Sequence, residues 1–353
     1  MGNQNTQPVY GHYIGAAKKS GETRILRNAL IKESEDLLKD VDGLCDLKSL
    51  LDKNTKEAPN KPIVGQRERI VNPQNGEITF GAYQWKTFAE VHKDAYAFAN
   101  YLFKHGLCPK IVSEDGVFRF LGLYSKNRVE WAVTDFGCAV SGVTSVCLYD
   151  TLGKESIDYI LDQAKIKTVV CSSDKVKTLA ELKKDGKISN TTHVIFFGPA
   201  LENEVIELAK QGGLTVVNFE DAIAQGLTYK DVELDKVTPD TFYTFSYTSG
   251  TTGMPKGVML THRNFVSNCA GLTRFDGVFK IRDDDVYFSY LPLAHVFERC
   301  ILLVAVVYKM QIGFYQGDVF KIKEDMAILR PTFMISVPRL YNRFYDLMQQ
   351  GIS

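Results

Sequence analysis

From Val117 onward the chain alternates short β-branched and aromatic runs with longer stretches of helical spacing, and few architectures accept that rhythm. "VFRFLGLYS" (117–125) reads as a strand, "NRVEWAVTDFGCAVSG" (127–142) as a helix and "VTSVCLY" (143–149) as a strand. The alternation continues through "KESIDYILDQAK", "KTVVCS", "KVKTLAELKKDG", "HVIFFG", "NEVIELAKQG", "LTVVNF" and "DAIAQG". It resumes after residue 280 with "DVYFSYLP" and "QIGFYQG" as strands and "VFERCILLVAVVYK" and "FKIKEDMAILR" as helices, then "PTFMISVP" as a strand and "RLYNRFYDLMQQG" as a helix. Strands separated by helices of about 10–15 residues need crossover connections, and those are right-handed, so the strands lie parallel. The fold class this predicts is α/β with largely parallel sheets. No fixed-length repeat is present, which argues against a solenoid.

With 353 residues the chain can bury a sizeable core. Lys+Arg and Asp+Glu both total 42, so no net field draws in nucleic acid. Seven cysteines at 45, 108, 138, 147, 171, 269 and 300 form no C-x-x-C pair, a pattern expected of a reducing, cytoplasmic setting. The longest strongly apolar run, "CILLVAVVY" (300–308), is far short of the ~20 residues that span a bilayer and reads as a buried helix. "MGNQNT" matches the pattern for myristoylation at Gly2, and one such chain binds a membrane only marginally. Within residues 1–60, "NALIKESEDLLKDVDGLCDLKSLLDKN" has helical spacing broken near Gly43, so a helical extension is expected there.

One stretch breaks the alternation. "YTSGTTGMPKG" (247–257) lies between the strand-like "DTFYTFSY" and "GVMLTH" and so joins two strands. It lacks the glycine spacing of a Walker loop and the G-x-G-x-x-G of a dinucleotide fold. Its composition suits an anion: Gly250, Gly253 and Gly257 permit positive φ, which lets successive N–H groups converge, while Thr248, Ser249, Thr251 and Thr252 offer hydroxyls and Lys256 a charge. The alternative is a hairpin loop that is merely rich in turn residues.

"YTSGTTGMPKGVMLTH" resembles the signature of the adenylate-forming (AMP-binding) synthetases. "YQWKTFAEV" (83–91), "GLYSKNRVEWAVTD" (122–135), "LYDTLGKESIDYIL" (148–161), "SYLPLAHVFER" (289–299) and "IGFYQGDVFKIKEDMAILRPTFMISVPRLYNRFYD" (312–346) resemble the eukaryotic long-chain fatty acid–CoA ligases. That resemblance implies a reaction in which a fatty acid carboxylate attacks the α-phosphorus of ATP, pyrophosphate leaves, and coenzyme A takes the acyl group from acyl-AMP, with Mg2+ on the phosphates. It implies that Thr248, Ser249, Gly250, Thr251, Thr252 and Gly253 wrap the β- and γ-phosphates with Lys256 nearby, unless Lys256 instead pairs with a carboxylate to hold the loop. It also implies that His295 sits beside the acyl group and adenylate; from the residues alone His295 would read as a satisfied core histidine. Glu298 and Arg299 read either as positioning that segment or as a surface ion pair, Arg339 as a structural pairing, and "RDDD" (282–285) as a solvated turn.

The family's aromatic-Gly-x-Thr-Glu and T-G-D segments and its carboxy-terminal adenylation lysine are not found in this sequence. The expected organisation is an extension over 1–60 followed by the amino-terminal part of an adenylation domain over 61–353, without the small carboxy-terminal domain and inactive alone. Two alternatives stand beside the ligase: a non-catalytic nucleotide- or partner-binding remnant, and a ligase for another carboxylic acid. Members of the family act at cytosolic membrane faces such as the endoplasmic reticulum, so a cytoplasmic, peripherally membrane-associated protein is expected.

Overall fold

The computed structural model describes residues 10–29, 31–32, 35–248, 254–273 and 281–352. Two compact units are present, residues 1–39 and 40–353. In the first, β1 (Gly11–Ile14) pairs antiparallel with β2 (Ile25–Asn28), and Arg24 donates to the carbonyls of Gly15 and Tyr13 across the intervening turn. This differs from the helical extension expected over 1–60, where α1 (Leu47–Glu57) is the only helix among the described residues. Asp46 caps α1 by accepting from Ser49 N–H, which fixes its start after the break at Gly43.

The second unit continues with β3 (Pro62–Val71) and β4 (Ile78–Thr87), an antiparallel pair, and α2 (Phe88–Lys104). Thr87 and Glu90 form a reciprocal capping box at the start of α2. A small hairpin, β5 (Ile111–Ser113) with β6 (Gly116–Phe118), leads into the alternating core. That core runs β7 (Phe120–Tyr124), α3 (Val129–Ser141), β8 (Thr144–Leu148), α4 (Lys154–Gln163), β9 (Thr168–Ser172) and α5 (Ser173–Lys184). It goes on through β10 (His193–Phe197), α6 (Asn203–Gly212), β11 (Thr215–Asn218), α7 (Phe219–Thr228), β12 (Phe242–Thr248) and β13 (Lys256–Thr261). The remaining elements are α8 (His262–Thr273), β14 (Val286–Ser289), α9 (Val296–Tyr308), β15 (Gln311–Phe314), α10 (Ile322–Leu329) and α11 (Pro338–Ile352).

Seven strands form the larger sheet in the order β11-β10-β9-β7-β8-β12-β13, parallel except for the last, as the alternation predicts. The chain lays β8 on one side of β7 and β9 on the other, so a topological switch point falls at β7. A second sheet, β14-β15-β3-β4, is parallel except for the β3–β4 pair. The segment "PTFMISVP", expected as a strand, contributes only one bridge, Phe333 to Tyr287. Pro331 and Pro338 at its two ends have no N–H to donate to a ladder.

Helices α3 and α9 explain the apolar runs. In α3 almost every residue is buried, Trp131 completely, and in α9 residues 301–306 are all buried. A helix apolar all round belongs inside a protein, which is where "CILLVAVVY" lies. No helix among the described residues is long and apolar enough to cross a membrane.

Candidate functional site at the carboxyl edge of the larger sheet

Strands β12 and β13 bring the small-residue turn to the carboxyl ends of the parallel strands, because Thr248 and Lys256 are the last register pair before it. Ser249, Gly250, Thr251, Thr252 and Gly253 lie outside the described residues. Thr248 and Lys256, at the base of the turn, are both exposed, and Lys256 makes no ion pair among the described residues. Gly257 lies in β13 without the positive φ expected of it. Its role is steric: a Cβ there would lie 3.1 Å from the Tyr247 ring, its cross-strand partner. The Tyr247 hydroxyl in turn donates to Gln163 Oε1 at 2.8 Å, which ties the base of the turn to α4.

His295 is exposed rather than a core residue, and it is the N-cap of α9. Its Nδ1 accepts from Phe297 N–H at 3.1 Å, so in the neutral ring the proton resides on Nε2. The Tyr149 ring, just past β8, meets the imidazole edge-on at 6.5 Å between centroids. A cleft of about 650 Å³ unites these parts; Thr248, Met254, Pro255, His295, Tyr149 and Tyr247 line it, and Glu155 of α4 is its one carboxylate among the described residues. Open α/β sheets bind ligands outside the carboxyl ends of their strands. A separate cavity of about 360 Å³ opens at the switch point, lined by residues 125–128 and 172–174, and none of the described predicted site residues (Thr248, Lys256 and His295) lines it.

The segment that delivers His295 is pinned by buried hydrogen bonds that sequence reading missed. Asn127, at the end of β7, accepts from Leu293 N–H at 2.9 Å and donates to Leu291 O at 2.6 Å and Ser289 Oγ at 3.0 Å. Glu298 and Arg299 are not a surface ion pair: they are 0 % and 1 % exposed and face different partners. Glu298 accepts from Tyr287 OH at 2.7 Å and Ser289 Oγ at 2.5 Å on β14. Burial pushes its carboxyl up to about 7, against the pull of those two donors. Arg299 turns toward the larger sheet, where Asp135 of α3 takes Nη2 at 2.5 Å. Arg339 is exposed and makes no ion pair among the described residues, so the structural pairing expected of it is not seen. In "RDDD", Asp285 closes the turn by accepting from Arg282 N–H, in keeping with a turn before a strand.

Among the described residues no group of three His, Cys, Asp or Glu side chains could hold a metal ion. The cleft thus brings a threonine hydroxyl, an imidazole and a carboxylate to the edge of an α/β sheet, with Lys256 exposed across the strand pair from Thr248. The chain belongs to the AMP-binding enzyme family, which matches residues 51–352. It is 38% identical over 268 residues to "Long chain acyl-CoA synthetase 7, peroxisomal" of Arabidopsis thaliana, covering 76% of this chain and 36% of that protein. It is 31% identical over 353 residues to "Fatty acyl-CoA synthetase B" of Dictyostelium discoideum, covering 99% of this chain and 50% of that one. The chain therefore spans between about a third and a half of the length of these relatives. Its fold matches the crystal structure of the adenylation domain of a carboxylate reductase from Mycobacterium chelonae, with a TM-score of 0.74 and 20% identity over 89% of this chain and 50% of that one.

Proposed function

We propose that the cleft between Thr248 and His295 is where a long-chain fatty acid is activated by ATP, as acyl-adenylate, before transfer to coenzyme A. One observation carries this reading: Thr248, which opens the hydroxyl-rich sequence, and the His295 imidazole, 47 residues further on, line one cleft at the carboxyl edge of a parallel sheet. A carboxylate resists attack because oxide is a poor leaving group, so activation must make pyrophosphate leave instead. That step needs donors and positive charge set in advance around the polyphosphate, the electrostatic stabilisation that dominates phosphoryl and nucleotidyl transfer. Thr248 and the 249–253 turn would supply hydroxyl and amide donors, and Lys256 a charge at its exit. The Nε2–H of His295 would face the carboxylate that attacks.

Magnesium fits no protein-held position among the described residues, of which Glu155 is the one carboxylate lining the cleft, and no step is assigned through it. The names of the similar proteins support a fatty acid as the acid. The test is exchange of radiolabelled pyrophosphate into ATP. The proposal predicts exchange that depends on palmitate and is lost in His295→Ala, in place of the inactivity expected of this chain alone; exchange driven by benzoate and not by palmitate contradicts it.

A further inference from the structure

The Arg299 cluster is expensive for what it contributes to stability. The guanidinium is fully buried, Asp135 is 0 % exposed, and the Arg299 Nε–H has no partner. Buried ion pairs lose so much hydration that apolar residues of similar volume often serve stability as well or better. Yet the guanidinium reaches three elements at once. Nη2 donates to Asp135 Oδ1 and to Ser145 Oγ at 3.1 Å, and Nη1 donates to Thr244 Oγ1 at 2.5 Å. Tyr243 OH donates to the other Asp135 oxygen, and the rings of Tyr243, Trp131 and Phe265 surround the charge at 4.5, 5.5 and 5.6 Å.

What these partners share is where their strands lead. Thr244 is four residues before Thr248 on β12, and Ser145 is four before Tyr149 at the end of β8. Arg299 N–H bonds to the carbonyl of His295, one helical turn earlier. A strand rises about 3.3 Å per residue, so each wall of the cleft is held roughly 13 Å from a single planar fork. A guanidinium bonds several oxygens from one rigid plane, whereas an ammonium offers rotatable donors from a single point and an apolar side chain none.

We propose that Arg299, with Asp135 as its counter-charge, is a positioning residue that sets His295 against Tyr149 and the base of the 249–255 turn. The proposal rests on reading that cleft as the functional site, but it can be tested without any substrate. The reporter is the cross-relaxation peak between the His295 and Tyr149 rings in the 353-residue chain, with labelled His and Tyr in a deuterated background. The triple variant Asp135→Leu/Tyr243→Phe/Arg299→Met removes both charges and the phenol, while the Ser145 and Thr244 hydroxyls keep the carbonyls of Tyr243 and Ser145 as acceptors. Positioning predicts a native-like melting transition and loss of the ring–ring peak. A native-like transition with the peak intact overturns the proposal, because Arg299 would then be core filling. Should the triple variant fail to fold, Arg299→Lys keeps the charge and removes the fork: a weakened peak supports the proposal, and an unchanged one overturns it. Broadening of the His295 signal by manganese–ATP is read separately in the wild type, and its absence would count against the nucleotide site alone.

Discussion

Replacing Glu298 by glutamine should make the stability of the protein less sensitive to pH, by an amount the structure sets. The Glu298 carboxyl is buried, faces two hydroxyls and no cation, and is pushed from 4.5 to about 7. Between those values the folded protein retains a proton that the unfolded chain has released. Stability therefore falls as pH rises through this window and is level above it. At 1.36 kcal/mol per pH unit the full contribution is about 3 kcal/mol, of which about 2.5 kcal/mol is lost between pH 5 and pH 8. Glutamine mimics the protonated acid: its carbonyl accepts from Tyr287 OH and its amide donates to Ser289 Oγ. His262, held down to about 4 by burial, has an opposite slope below pH 6.5, but it is common to both proteins. The difference between variant and wild type thus isolates Glu298. Urea denaturation at both pH values should show Glu298→Gln close to wild type at pH 5 and more stable by about 2.5 kcal/mol at pH 8. An equal loss at both pH values would refute the reasoning, since the carboxyl would then be ionised and satisfied in place.

Two further substitutions probe the frame around the site. Gly257→Ala puts a methyl group 3.1 Å from the Tyr247 ring, and overpacking of this kind should cost about 1–2 kcal/mol in urea denaturation and weaken nucleotide binding at the turn; an unchanged midpoint would mean that the ring yields freely. Arg67→Met strands Asp325, which is 0 % exposed and takes an Arg67 bond at 3.2 Å, so a loss of about 3 kcal/mol is expected from the same measurement; a loss under about 1 kcal/mol would show that Gln316, which also donates to Asp325, suffices.

The alternating core was legible because its central strands, β7 to β10, are buried on both faces and each helix is long enough to show its period. The β3–β4 pair was not, because "PIVGQRERIV" turns charged where its far half leaves the core, which masks the strand pattern. The order of strands in the sheet is absent from the sequence altogether, since β7 neighbours β9 only after the crossovers are laid down. In the sequence, "YTSGTTGMPKG" and His295 stood out through short ordered motifs, and Thr248 and His295 line one cleft. Arg299 could be read as a residue but not as a fork, because Asp135 lies 164 positions away. Its signal was an arginine and an aspartate in otherwise apolar helices. Gly257 misled in the other direction: a glycine beside a turn suggested positive φ, and the structure uses it for a cross-strand aromatic contact.

The central claim is that the 249–253 turn grips the polyphosphate of a nucleotide, and calorimetric titration of the chain with magnesium–ATP addresses it most directly. Hydrogen bonds to a charged group contribute about 1.5–3 kcal/mol each, so losing two in Ser249→Ala/Thr251→Ala should weaken binding roughly 100- to 10,000-fold relative to wild type with unchanged circular dichroism. Equal affinity in the two proteins would contradict the account.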